Sequence, residues 1–228
     1  MIKTVLLDLD NTLLDFYRAE EAAILGTLQD MHIDPKPGIA ARYSAINAGQ
    51  WALIEQGQTT RERALVRRFE LLLEELGADR SAAEMKNIYE KRLACGHFFM
   101  PGAPELLEAL YPVYDLYLAS NGTTAVQQGR LKSAGISHYF KEIFLSQQLG
   151  ANKPDPAFFE RCFEKIPGFR RENTVIVGDS LTSDIQGGMS AGIHTCWFNR
   201  DGIPGRSSIV PEAEISELGE LPALLAGM

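Results

Sequence analysis

Thr174–Asn199 reads TVIVGDSLTSDIQGGMSAGIHTCWFN and carries, in turn, a strand, a helix and a second strand. Thr174–Asp179 (TVIVGD) and His194–Asn199 (HTCWFN) are near-continuous apolar runs ending in polar groups, the mark of strands covered on both faces. Leu181–Ala191 between them is amphipathic at helical spacing, and Gly192 just beyond suits a helix C-cap. Working outward, Thr4–Asp10 (TVLLDLD), Leu116–Asn121 (LYLASN) and Glu142–Gln147 (EIFLSQ) are further runs of the same kind. Thr123–Ala134 and Pro156–Ile166 are helix-length segments between the later strands, with Gly135 closing the first. Such alternation predicts an α/β fold with a doubly wound parallel sheet.

The alternation is broken once. Residues 16–99 contain no strand pattern, only helical periodicity over 18–31, 37–56, 60–76 and 81–94, punctuated by Gly57, Gly77 and Gly96. Thr59 or Thr60 offers an N-cap for the third of these helices. Residues 1–15 and 100–228 are therefore expected to form the α/β core, and 16–99 an all-helical cap inserted after the first strand.

A net charge of −8 argues against a nucleic-acid polymer as partner, because backbone phosphates require a basic face. No apolar run is long enough to cross a bilayer, so no membrane partner is expected either. Ile2–Leu9 runs directly into a strand without a small-residue cleavage site, which is not a signal peptide. Cys95, Cys162 and Cys196 are scattered and form neither a metal knuckle nor a disulfide framework, as expected in a reducing cytoplasm. An acidic chain that takes an anionic substrate needs local positive charge from a metal ion, a lysine or helix N-termini.

Ligands of open parallel sheets bind beyond the carboxyl ends of the strands. Those ends read Asp8-Leu9-Asp10-Asn11-Thr12, Ser120-Asn121-Gly122, Asn152-Lys153-Pro154-Asp155 and Gly178-Asp179-Ser180, with Asp184 shortly after. Each has a plain structural reading. Asp8 and Asp10 can form a solvated turn, Asp179 can be only an N-cap, and Ser120–Gly122 can be an ordinary turn. Lys153 can lie on the surface, and Asp155 followed by Pro156 is a good cap pair. Their coincidence at one sheet edge favours chemistry. Two carboxylates, Asp8 and Asp179, can hold Mg²⁺ together with a substrate phosphate. A carboxylate nucleophile, Asp8, then splits a phosphate-ester hydrolysis into two steps, with Asp10 as general acid and base. Lys153 and Ser120 can steady the phosphoryl oxygens, helped by the backbone at Asn121 and Gly122.

With DLDNT at 8–12, the Ser120 turn, Lys153 and GDSLTSD at 178–184 in this order, the chain resembles the haloacid dehalogenase-like hydrolase superfamily. The resemblance implies a Rossmann-like core of strand order 5-4-1-2-3 with a helical cap. It implies Asp8 as nucleophile and metal ligand, and Asp10 as acid/base that lends its backbone carbonyl to the metal. It implies Asp179 as the third ligand, and Asp184 as support for the metal's outer shell or for Lys153. The namesake dehalogenases lack the second acid and use no metal, whereas Asp10 is kept here. Sugar phosphomutases of the superfamily carry Gly at the position of Asn11. Asn47–Gly57 (NAGQWALIEQG), Ser120–Leu131 (SNGTTAVQQGRL) and Asp184–Asn199 (DIQGGMSAGIHTCWFN) further resemble bacterial 5′-nucleotidases of pyrimidine and non-canonical nucleoside monophosphates.

On that footing the expected partner is a small phosphate monoester, turned over by a monomer or homodimer. The alternatives are a phosphatase for a sugar phosphate or phosphoglycolate, or an idle homologue that binds a partner through its cap. Asn47 and Trp51 share a helix face in the cap, with Tyr43 a turn earlier, and are the candidate substrate readers. Arg61, Arg63, Arg67 and Arg68 are expected to form a solvated helix face, and the isolated histidines to ligate nothing.

Overall fold

A computed structural model describes the whole chain, Met1–Met228. The chain divides into two compact units, one of Met1–Asp15, Phe99–Thr124 and Gly135–Met228, the other of Phe16–Phe98 and Ala125–Ala134.

In the first unit, β1 (Thr4–Leu7), β2 (Asp115–Ser120), β3 (Glu142–Leu145), β4 (Thr174–Gly178), β5 (His194–Phe198) and β6 (Ala213–Ile215) form one sheet. Its order is β3-β2-β1-β4-β5-β6 and every pairing is parallel. Read from the other edge, the first five strands keep the expected 5-4-1-2-3 order. The sixth is an addition, a three-residue edge strand too short to leave a periodic pattern. Every residue of β1 and β4 is buried, which is why these strands read as unbroken apolar runs. Leu6, Tyr117, Phe144 and Ile176 pack with Phe158, Phe159, Cys162 and Phe163 of the helix Pro156–Phe163. A buried side chain of this size contributes roughly 1.5–3 kcal/mol. The helix Gln186–Ala191 lies flush on this layer because of two glycines. A Cβ on Gly187 would sit 2.5 Å from Phe159, and one on Gly188 would sit 2.5 Å from Ile176. That close fit accounts for the Gly-Gly pair in the opening stretch. Helices Ala103–Leu110 and Leu221–Gly227 also belong to this unit and were not foreseen.

In the second unit, Phe16–Phe98 forms four helices, α1 (Phe16–Asp30), α2 (Ile39–Glu55), α3 (Arg61–Leu76) and α4 (Ala82–Leu93). Thr60 caps α3 by accepting from the Arg63 N–H, and Ser81 caps α4 by accepting from Glu84. Tyr43, Phe69 and Tyr89 meet with ring centroids 5.2–5.4 Å apart at its core. Ala125–Ala134, outside the expected insert, groups with these helices. Its Val126 joins their apolar cluster, and Gly129 leaves no room for a Cβ beside Ala94. The arginines of α3 depart from the expected solvated face. Arg63 and Arg67 do pair with Glu70 near the surface, but Arg61 and Arg68 are buried. Arg68 stacks over Phe69 and Tyr89 and donates to the Asn47 carboxamide, so its charge is satisfied inside the bundle.

Candidate active site

The register of the central strands sets the site. Leu7, the last residue of β1, pairs with Val177 of β4 and with Leu118 of β2, so β4 runs one residue and β2 two residues beyond it at the same edge. The Asp8 N–H extends the ladder by one bond, to the Val177 carbonyl at 3.0 Å. Asn11 then turns the chain with φ 59°, a left-handed conformation that Asn tolerates better than most residues. The turn is closed by Asn11 N–H to Leu14 O at 2.7 Å, and Leu13 N–H returns to Leu9 O at 3.0 Å. It brings Thr12 beside β4, where its hydroxyl accepts from the Asp179 N–H at 3.1 Å.

Lys153 is the hub, with 1% of its surface exposed. Its ammonium donates to Asp8 Oδ1 at 2.7 Å, Asp184 Oδ1 at 2.6 Å and the Ala119 carbonyl at 2.5 Å, so all three donors are used. Asp184 is held on its other oxygen by the Ser180 N–H at 3.1 Å. Gly178 makes room for it, since a Cβ there would lie 2.2 Å from Asp184 Oδ2. The Ser180 hydroxyl accepts from Ser183 N–H and starts the following turn, a role that Asp179 could have filled. Asp179 is instead left with a carboxylate near those of Asp8 and Asp184. One oxygen of each lies within 4.8 Å of the others.

Three carboxylates so close create a demand for positive charge. At an effective dielectric constant of about 20, each ionised pair at this separation repels by about 3–4 kcal/mol. One buried ammonium offsets only part of that. Burial above all, opposed by Lys153 and aided by Asp184 and Asp10, pushes the Asp8 carboxyl up to about 7. Burial, then Asp8 and Asp184, hold Asp179 well above the usual carboxylate range. Burial opposes the charge on Lys153, but Asp184 and Asp8 outweigh it and raise its pKa. An all-oxygen, acid-rich set of this kind fits a hard divalent cation. Asp184 has both oxygens engaged by the protein, which leaves Asp8 and Asp179 better placed to serve as ligands. The Asp10 carboxylate stands outside the group.

The Ser120 turn differs in detail from the expectation. Its buried hydroxyl accepts from the Gly122 N–H at 3.2 Å, so that amide is turned inward onto the turn itself. The Asn121 side chain, which sequence reasoning passed over, takes both backbone polar groups of Lys153, each at 2.8 Å. In the helical unit, Asn47 is 3% exposed, donating to Glu20 at 2.7 Å and accepting from Arg68 at 2.8 Å. Trp51 is half-buried with the Arg61 guanidinium 5.7 Å from its ring. Tyr43 is wholly buried in the aromatic cluster.

Residues 2–192 match the family model described as haloacid dehalogenase-like hydrolase. The HAD-hydrolase YfnB of Bacillus subtilis is 40% identical, covering 98% of this chain and 95% of its own. A crystal structure of YfnB bound to magnesium, described as revealing interdomain movement, superposes with a TM-score of 0.94 over 98% of both chains. The pyrimidine 5′-nucleotidase PynA of Streptococcus pneumoniae is 36% identical, over 96% of this chain and 93% of its own. The pyrimidine 5′-nucleotidase YjjG of Escherichia coli is 31% identical, over 87% and 89%. The chain therefore belongs to the haloacid dehalogenase-like hydrolase family.

Proposed function

We propose that this chain is a Mg²⁺-dependent phosphomonoesterase that works through a phosphorylated Asp8 and acts on nucleoside 5′-monophosphates of the pyrimidine or non-canonical kind. The observation that carries the reading is Lys153 bridging Asp8 and Asp184, with the Asp179 carboxylate close by. Asp8 and Asp179 would hold the cation, with the Asp10 carbonyl as a further ligand. When bound, Mg²⁺ supplies charge neutralisation of the substrate phosphate.

Lys153 fixes Asp8 through Oδ1, and Asp8 Oδ2 attacks phosphorus. The bond from phosphorus to the ester oxygen breaks, and the Asp10 carboxyl gives its proton to the leaving alkoxide. Water then attacks the acyl phosphate while the Asp10 carboxylate takes its proton. Asp8 is freed and inorganic phosphate departs. The Lys153 ammonium and the Ser120 hydroxyl steady the negative charge on the phosphoryl oxygens in both steps. The nucleotide class rests on the identity to PynA and YjjG, both named as pyrimidine 5′-nucleotidases.

The test is phosphate release from a panel of monophosphates with and without Mg²⁺. UMP and dTMP are expected to be turned over faster than sugar phosphates or phosphoglycolate, and EDTA to stop all release. The reverse order of substrates overturns the nucleotide class. Undiminished release in EDTA overturns the metal dependence.

A further inference from the structure

The Asp179 peptide is gripped from two sides. Its N–H donates to Thr12 Oγ1 at 3.1 Å, and its carbonyl accepts from Trp197 Nε1 at 2.8 Å. Thr12 comes from the turn after β1 and Trp197 from β5, so the strands on either side of β4 both reach over its end. Asp179 follows the last residue of β4, whose Gly178 is the register partner of Trp197. At this point the side chains of Thr12 and Trp197 bond peptide groups that no longer belong to the strand.

Trp197 is a costly residue to place here for packing alone. It is 1% exposed and packs with Leu181, Ile185 and Ile209. A Phe or Leu would also fill an apolar site, whereas a buried indole N–H needs an acceptor and loses stability without one. The acceptor present is the carbonyl of the residue whose carboxylate faces Asp8.

We propose that Trp197 and Thr12 are positioning residues for the divalent cation, which clamp the Asp179 peptide so that its carboxylate stands ready as a ligand. This rests on the reading of Asp179 as a metal ligand. It gives a physical reason for the Trp of the TCW segment, which the chemistry at the strand ends leaves unexplained. Groups that orient metal ligands through hydrogen bonds typically cost about 10- to 100-fold in metal affinity when removed.

The experiment is calorimetric titration of Mg²⁺ into the intact protein, compared among wild type, Trp197→Phe, Thr12→Val and Thr12→Ser. Folding is checked first by circular dichroism and thermal melting in EDTA. Trp197→Phe and Thr12→Val are each expected to weaken Mg²⁺ binding about 10-fold or more. Thr12→Ser, which keeps the hydroxyl, is expected to bind like wild type. Should Trp197→Phe fail to fold, the Thr12 pair carries the test alone. Folded Trp197→Phe and Thr12→Val proteins that bind Mg²⁺ within twofold of wild type overturn the clamp and leave the metal site standing, even if their melting temperatures fall. A wild type that binds no Mg²⁺ removes the metal reading and the clamp together.

Discussion

The Asn121 carboxamide spans both backbone polar groups of Lys153, accepting from its N–H and donating to its carbonyl, each at 2.8 Å. This ties the end of β2 to the loop that carries the lysine. Asn121 can therefore influence the reaction by holding Lys153. A double-mutant cycle separates this from an independent contact with phosphate. Asn121→Ala is expected to lower kcat/KM about 10- to 100-fold and Lys153→Ala by about 1,000-fold, while the double variant matches Lys153→Ala. Losses that multiply in the double variant would show that Asn121 acts on its own.

Gly178 faces the Asp184 carboxylate so closely that a methyl group would fall 2.2 Å from Oδ2. The Asp184 carboxylate cannot yield without straining its bonds to Lys153 and to Ser180. Gly178→Ala is expected to cost about 1–3 kcal/mol in denaturant unfolding, as overpacking does. It should also lower kcat more than KM rises. A Gly178→Ala protein with wild-type kcat would mean that the Asp184–Lys153 pair has slack.

Metal-free stability should depend on pH in a definite direction. Asp8 has a pKa of about 7 in the folded protein against an ordinary 3.8, and Asp179 is raised as well. Between these values the folded state keeps a proton that the unfolded chain has released. Stability in EDTA is therefore expected to fall, from this source, as pH rises from about 4 to about 7. Mg²⁺ binds the ionised carboxylates, so its stabilising effect should grow over the same range. Melting curves with Mg²⁺ and with EDTA, at about pH 5 and about pH 8, measure this directly. An equal rise in Tm at both would contradict the raised carboxyl pKa values.

Asn47 joins Glu20 to Arg68 inside the helical unit. Asn47→Ala leaves a buried carboxylate and a buried guanidinium each short of a partner. The expected loss is about 1–3 kcal/mol in unfolding free energy. If instead stability is unchanged while KM for UMP alone rises, Asn47 reads substrate, as its place on the helix beside Trp51 first implied.

Much of this was readable in the sequence, for reasons that lie in sheet physics. Buried parallel strands write themselves as apolar runs, and ligand-binding residues gather at their carboxyl ends. Asp8, Ser120, Lys153 and Asp179 could therefore be picked out by position. The side-chain bonds of Asn121 and Trp197 could not. Asn121 and Trp197 act through side-chain bonds to peptides 32 and 18 residues away, and only the strand order brings them together. The buried Arg61 and Arg68 misled because a run of arginines at helical spacing looks the same whether it faces water or buried partners. β6 escaped because three residues carry no measurable alternation.

The most direct test of the account is reductive trapping of the reacting enzyme. Wild type mixed with UMP and Mg²⁺ is quenched during turnover and treated with borohydride, which reduces an acyl phosphate to an alcohol, and the peptides are read by mass spectrometry. The account predicts conversion of Asp8 to homoserine in wild type, and neither conversion nor phosphate release in a folded Asp8→Asn protein. Trapping at another residue, or steady phosphate release by Asp8→Asn, would contradict it.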